Sequence, residues 1–455
     1  MNHSAYPRYK ESGVQWLDEV PEHWEVKRLK YSASINDEAL SETTNLDFEF
    51  SYVDIGSVHP VNGITNREPM IFENAPSRAR RRVKVGDTIV STVRTYLRAI
   101  APIPETNETL IVSTGFAVIR PRKVNSEYLG YALREASFVE SIVSRSVGVS
   151  YPAIIASDIG LVSVPLPSDP EQTTIADFLD RETGKIDTLM AKKRQLIDRL
   201  KEKRTALISR TVTRGLPTAV ALEFDLEPHT RFKDSGIEWL GEVPEGWEIK
   251  RLKYLFQCFG GGTPSKANSA FWDGRIPWVS PKDMSDKIIS DTEDHITEEA
   301  VIDSATRIVS SGATLVVVRS GILRHTIPVA TNLVPVTLNQ DMKALVSKGI
   351  VTNAHLAYFI QGHNKSLLDI WSKSGCTVES IESAYMLNSI LPVPPLPEQT
   401  AIATYLDRET TKIDCLIEKV GAASTRLQEY RTALITAAVT GKIDVRVSRA
   451  DKEAA

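Results

Sequence analysis

Cysteine is scarce in this chain. Cys258, Cys376 and Cys415 are the only three in 455 residues, and none stands at the spacing of a disulfide framework or a zinc site. That usage fits a reducing compartment, so a cytoplasmic protein is expected. No apolar run approaches the roughly 20 residues a membrane span needs, and the polar opening Met1–Lys10 does not read as a targeting signal; no membrane partner is expected. A basic excess is missing too. Lys and Arg number 54 against 58 Asp and Glu, giving a net charge of −4 and a pI near 6.1. Nucleic-acid binders usually carry the opposite footprint, so any such role must rest on local patches or on partners that supply phosphate contacts.

The marks of catalysis are equally thin. Gly260-Gly261-Gly262-Thr263-Pro264-Ser265-Lys266 is glycine-rich, but it lacks the Gly-Lys-Ser/Thr ending of a P-loop, and Pro264 breaks the helix such a loop would open. A mobile or groove-contacting loop is the better reading, with Thr263, Ser265 and Lys266 as its polar candidates. His355 and His363 are the only close histidines, at a spacing that suits no common metal site, and read as surface or packing residues. No nucleophile–base pair or dinucleotide fingerprint stands out. We therefore expect no catalytic, cofactor-binding or metal residues on this chain.

What the chain does have is a repeat. Pro170-Glu171-Gln172 opens a helical stretch with apolar residues at three- and four-residue steps, namely Ile175, Leu179, Ile186, Leu189, Leu196, Leu200 and Leu207. Pro397-Glu398-Gln399 opens a second, shifted by 227, with Ile402, Leu406, Ile413, Leu416, Val420, Leu427 and Leu434. Upstream, Ser12-Gly13-Val14-Gln15-Trp16-Leu17 and Val20-Pro21-Glu22-His23-Trp24 return 223 residues later as Ser235-Gly236-Ile237-Glu238-Trp239-Leu240 and Val243-Pro244-Glu245-Gly246-Trp247. Repetition at both ends of each unit means two versions of one plan. The tryptophans read as hydrophobic anchors.

Between these flanks a skeleton survives. Ser51-Tyr52-Val53 aligns with Pro277-Trp278-Val279, Gly86–Val90 with Gly312–Val316, and Ser113-Thr114-Gly115-Phe116 with Asn339-Gln340-Asp341-Met342. Short β-branched runs set off by glycine read as strands. The expected fold is α+β: two mixed α/β modules joined by two long antiparallel coiled-coil helices in a pseudo-two-fold repeat. The boundaries read as 1–168 for the first module, 169–214 for the first helix, 215–228 for a linker, 229–395 for the second module, 396–440 for the second helix and 441–455 for a tail. The antiparallel sense follows from length. Gly215–Asp234 is about 20 residues, and at ~3.3 Å each it could barely return along a ~60 Å helix.

Agreement of framework with divergence of polar decoration suits two recognition modules with different targets. Arg78, Arg80, Arg81, Arg82 and Lys84 form the densest basic run, able to neutralise phosphates or to stand as a solvated loop. Arg94, Tyr96 and Arg98 follow one paired strand, and Arg319, Ser320 and Arg324 the other. Arg suits bidentate contact to guanine, and Asn or Gln to adenine, which makes Arg319, Asn339 and Gln340, with nearby Lys343, candidates in the second module. Arg94, Ser113 and Thr114 fill the matching places in the first. Each of these could equally satisfy a turn or strand end.

Taken together, Tyr9–Leu17 with Pro21-Glu22-His23-Trp24, Gly261–Ser265 followed by Ile276-Pro277-Trp278, Pro394–Gln399, and Thr440–Val445 resemble the specificity subunit of type I restriction-modification systems over essentially the full length. Asp18 where the second unit has Gly241, and Ser168-Asp169-Pro170 in place of Pro-Leu-Pro, are the departures. The resemblance implies two target-recognition domains on spacer helices that bind a bipartite double-stranded DNA target. It also implies two methyltransferase subunits that bring S-adenosylmethionine and modify adenine, and motor-nuclease subunits that use ATP and magnesium, with none of those cofactors held on this chain. A helical adaptor whose modules bind proteins is the alternative.

Overall fold

The structure is a computed structural model, and it describes residues 4–373 and 378–446; Cys376 and the tail beyond Arg446 lie outside them. The chain divides into two compact units, Met1–Lys193 with Ala422–Ala455, and Arg194–Gly421. Each unit therefore combines one module with a piece of both long helices, Asp169–Arg214 and Leu396–Val439. Among the described residues no helix is long and apolar enough to cross a membrane.

In the first unit, an antiparallel sheet runs Ile100–Pro102, Thr88–Ser91, Phe116–Pro121, Ala33–Ile35. A second sheet runs Glu68–Ile71, Glu49–Val53, Leu110–Ser113, Ala79–Arg82, with Glu49–Val53 and Leu110–Ser113 parallel. Thr88–Ser91 and Leu110–Ser113 are buried throughout, which is why they read as continuous β-branched runs instead of alternating ones. The second unit repeats the scheme. Thr314–Val317 pairs with Met342–Ser347 and Val329–Asn332, and Trp272–Val279 lies parallel to Thr337–Leu338. The proline-rich module ends, Ser163–Leu166 and Ile390–Val393, form two-stranded ribbons with Glu25–Arg28 and Glu248–Arg251, where no neighbour on the far side needs a proline N–H.

The departure at Asp18 is explained by the backbone. Both Asp18 (φ 51°) and Gly241 (φ 71°) adopt the left-handed conformation, which aspartate tolerates better than most side chains.

The Glu-Gln pair after each proline is a docking device. Gln172 accepts from the Asn125 N–H (2.8 Å) and donates to the Pro167 carbonyl (2.8 Å); Gln399 accepts from the Thr352 N–H (2.7 Å) and donates to the Pro394 carbonyl (2.8 Å). Glu171 and Glu398 are buried in the first turn, where the helix dipole favours a carboxylate. Tyr6 donates to Glu171 at 2.8 Å and His23 lies 3.0 Å from it; the buried Trp247 indole donates to Glu398 at 2.9 Å and His229 lies 2.6 Å away. Trp24 and Trp247 are core anchors, as their apolar bulk suggests.

Within each unit the two helix pieces pair antiparallel. In the first, Ile175, Leu179 and Ile186 share a core with Leu434, Ile435, Ala438 and Val439. In the second, Ile208 and Val212 share one with Ile402 and Leu406. The same ion pair is used twice with the roles of the helices exchanged: Arg431 binds Asp187 at 2.9 Å in the first unit, and Arg204 binds Asp414 at 2.9 Å in the second. Arg204 and Arg431, like Asp187 and Asp414, are repeat equivalents 227 residues apart.

Three seam assignments need correction. Leu189, Leu196 and Leu416 are 44%, 43% and 44% exposed and face away from the buried stripe. Positions at steps of eleven stay on the covered side instead, Ile175, Ile186, Ile197 and Ile208 on one helix and Ile402, Ile413, Ser424 and Ile435 on the other, with Ile197 and Ser424 half-buried and the rest buried. Eleven residues in three turns is close to the undistorted 3.6 per turn, whereas a heptad drifts from it by about 20° per repeat. Leu207 and Leu427 are accordingly only partly buried, packed at the core margins.

Candidate nucleic-acid interface

In the first unit the strand ends are tied into one rim. Thr92 donates from its N–H (2.8 Å) and its hydroxyl (2.9 Å) to the Gly115 carbonyl, Thr114 N–H donates to Arg78 O (2.7 Å), and Arg94 N–H donates to Pro152 O (2.8 Å). Arg78, Arg94 and Thr114 are thereby exposed side by side. Arg94 and Arg98 both hold φ at 52° around the Thr95–Leu97 turn, an unfavourable state for an arginine that the surrounding bonds impose. Tyr96 is exposed beside them, and Arg98 pairs with Glu140.

The basic run is not one uniform strip. Arg80 stacks on Phe72 (4.7 Å) and donates to its neighbour's carbonyl, and Arg81 is half-buried on the Ala79–Arg82 strand with its Nε enclosed. Lys84 is paired with Glu38, which also binds Arg120 and is held below the usual carboxylate range by the Lys84 bond first and the Arg120 bond second. Only Arg78 and Arg82 of the five are exposed without an ion pair among the described residues. Ser113 is buried, its hydroxyl accepting from the Gly115 N–H at 3.2 Å, so it supports the turn and offers nothing outward.

In the second unit the rim is built around Asp341. Its carboxylate takes Arg319 Nε at 2.6 Å and lies 3.5 Å from Asn339 Nδ2, while its N–H donates to Asn339 Oδ1 at 2.9 Å. Asn339 is buried, so it shapes the turn and is not displayed; that reverses its reading as an outward adenine contact. Gln340 is exposed, and Thr263 donates to its carbonyl oxygen, which fixes the amide. Ser320 caps the Gly321–Arg324 turn, Arg324 pairs with Glu379 at 3.1 Å, and Lys343 sits half-buried in the sheet.

The triple-glycine loop is clamped, which answers the expectation of mobility. A Cβ on Gly261 would lie 2.0 Å from Asn339 O. The Gly262 carbonyl accepts from Trp278 Nε1 (3.0 Å) and from the Thr306 hydroxyl (2.8 Å), and its N–H donates to Leu338 O (2.8 Å). Glycine is required there so that two backbones can touch. Ser265 and Lys266 follow, exposed, with Trp272 donating to Ser265 O at 3.2 Å.

His355 and His363 are buried, and burial pushes both pKa values down to about 4. Thr213 lies 2.8 Å from His363 Nε2. Among the described residues no group of three or more His, Cys, Asp or Glu could hold a metal ion.

Sequence reasoning missed the Glu-Gln docking bonds and the reciprocal Arg–Asp pairs. Their signal was present as Arg-Thr-Ala-Leu-Ile at 204–208 and 431–435, and as Lys-Ile-Asp at 185–187 and 412–414.

A scaffold that repeats its Gln docking bonds and its Arg–Asp pairs, carrying two rims of different chemistry, defines a duplicated protein. The chain belongs to the type I restriction modification DNA specificity domain family, whose model matches residues 21–199 and 244–419, once in each repeat. The Escherichia coli type I restriction enzyme EcoR124I/EcoR124II specificity subunit is 37% identical over 188 residues, 41% of this chain and 44% of that protein, so less than half of that relative is matched. The MjaIX specificity subunit of Methanocaldococcus jannaschii, 33% identical, is likewise matched over 40% of its length. The putative MjaX specificity subunit of the same archaeon is 24% identical over 96% of this chain and 98% of its own. Among solved structures, a chain from work on complex assembly and conformational transition of the type I R-M system superposes with a TM-score of 0.68 at 23% identity, covering 92% of this chain and 98% of that one. The HsdS subunit from Thermoanaerobacter tengcongensis gives 0.50 at 24% identity, covering 95% and 100%.

Proposed function

We propose that this chain is the sequence-reading, non-catalytic subunit of a type I restriction-modification complex in the cytoplasm. Each unit reads one part of a bipartite duplex target. Two methyltransferase subunits, carrying S-adenosylmethionine, then modify adenine, and motor-nuclease subunits with ATP and magnesium cut unmodified DNA. The observation that carries this reading is the contrast between scaffold and rim. Gln172 and Gln399, or Arg204–Asp414 and Arg431–Asp187, do the same work in both units. At the rims, Gly115 stands where the other unit has Asp341, Arg94 where it has Ser320, and Val93 where it has Arg319. Selection for reading two different base sequences on one framework accounts for that division.

The test is a binding titration of the complex assembled with methyltransferase subunits. It should retard a duplex carrying its own methylation motif far more strongly than one with a base changed in either half. The purified chain alone should neither transfer methyl groups nor cleave DNA. Retention of assembly without any base preference would favour the adaptor reading.

A further inference from the structure

We propose that the loop Val147–Ala153, together with Arg94, is a stacking element of the first unit that engages target bases directly; this deepens the DNA-reading function above and rests on it. The loop is tied down at both ends. Val147 and Ala153 exchange backbone bonds at 2.9 and 3.0 Å, Ile154 N–H donates to Thr92 O (2.8 Å), and Gly148 turns the chain at φ +116°. Yet the side chains it carries are in water: Val147 is 80% exposed, Val149 fully exposed and Tyr151 64% exposed. An apolar tip held in a fixed shape away from any core is the mark of an interaction surface.

Charge identifies the occupant. The Arg94 guanidinium lies on the Tyr151 ring, 4.8 Å from its centroid, and among the described residues neither Arg94 nor the nearby exposed Arg145 forms an ion pair. The second unit's rim arginine, Arg319, stands one place earlier, where the first unit has Val93, and is neutralised by Asp341 at 2.6 Å. In the first unit that carboxylate is replaced by Gly115, where even a Cβ would meet Ile55 Cδ1 at 2.9 Å. An unpaired cation laid on an aromatic face beside apolar tips complements a polyanion with flat faces. Nucleic acid has that chemistry, and its bases stack on such platforms or admit apolar wedges between steps. The loop is continuous, through Thr92 and Arg94, with the rim already described.

The experiment compares Tyr151→Ala, Tyr151→Phe and Arg94→Ala in the assembled methyltransferase complex, by titration against its methylation-motif duplex at several salt concentrations and by size-exclusion assay of assembly. Tyr151→Ala should weaken binding about ten- to a hundredfold with an unchanged salt slope, and Tyr151→Phe should restore it. Arg94→Ala should weaken binding and reduce the salt slope by about one ion. Wild-type affinity in Tyr151→Ala overturns the inference. Loss of assembly with affinity otherwise unchanged overturns it too, in favour of a protein-docking loop. Absence of base preference in the wild-type complex defeats the functional reading itself, whatever the loop variants do.

Discussion

At the scale of single residues, the two units place their rim arginines one position apart, Arg94 where the second unit has Ser320 and Arg319 where the first has Val93, which corrects the matching of the two arginines read from the sequence. Arg319 faces a carboxylate 2.6 Å away and so contributes little net charge to the rim. Asp341→Asn should release that charge: binding to all duplexes should tighten at low salt, and the salt slope should steepen by about one ion, in titrations of the assembled complex. Gln340 is poised differently, exposed and oriented by Thr263. Gln340→Ala should cost about 1–3 kcal/mol for the cognate duplex and relax one position of one half-site, checked with single-base-changed duplexes. Arg82→Ala should instead weaken all sequences alike. The sequence exposed these arginines as a cluster, but their partners were not legible. Glu38 meets Lys84 and Arg120 only because distant strands pair, and local spacing carries no record of that. Asn339 failed as a displayed reader for the same reason, since its burial comes from contacts with Val279 and Asp341 across the turn.

At the scale of elements, the presence of the long helices was legible because proline stops and apolar spacing are local signals. Their exact face was not. A heptad and an eleven-residue repeat share the same three- and four-residue steps over the first turns and diverge only later, which displaced Leu189, Leu196 and Leu416 from the stripe they were assigned to. The reciprocal ion pairs should hold each helix pairing. Asp187→Ala leaves the largely buried Arg431 unpaired and should destabilise the first unit by about 1–3 kcal/mol in denaturant unfolding, with Arg431→Met added to it recovering part of the loss. The second unit should be acid-sensitive. His355 and His363 titrate near 4 when folded, below the ordinary 6.5, so the folded state resists protons that the unfolded state accepts. Their contribution is complete above pH 6.5 and declines as pH falls from 6.5 to 4, by on the order of 2–3 kcal/mol per histidine. His363→Gln should flatten that decline in unfolding curves taken at pH 7, 6 and 5.

At the scale of the whole molecule, duplication was the most legible feature, because shifts of 223 and 227 residues mark the same scaffold twice. The bases each unit prefers were not legible, since they depend on groove geometry. The proposed bipartite reading assigns one half of the target to each rim, with intervening bases that need only be the right number. Adding one helical turn of four residues, ~6 Å, within Ala191–Leu200 and at the equivalent place in the second helix should lengthen that unread spacer by one or two base pairs. The most direct measurement is the adenine-methylation motif of a host carrying this chain with the methyltransferase subunits proposed as its partners, obtained by methylome sequencing before and after replacing residues 88–121 with a relative's segment. The account predicts a two-part motif in which only one half changes. A single continuous motif, or one indifferent to the replacement, would contradict it.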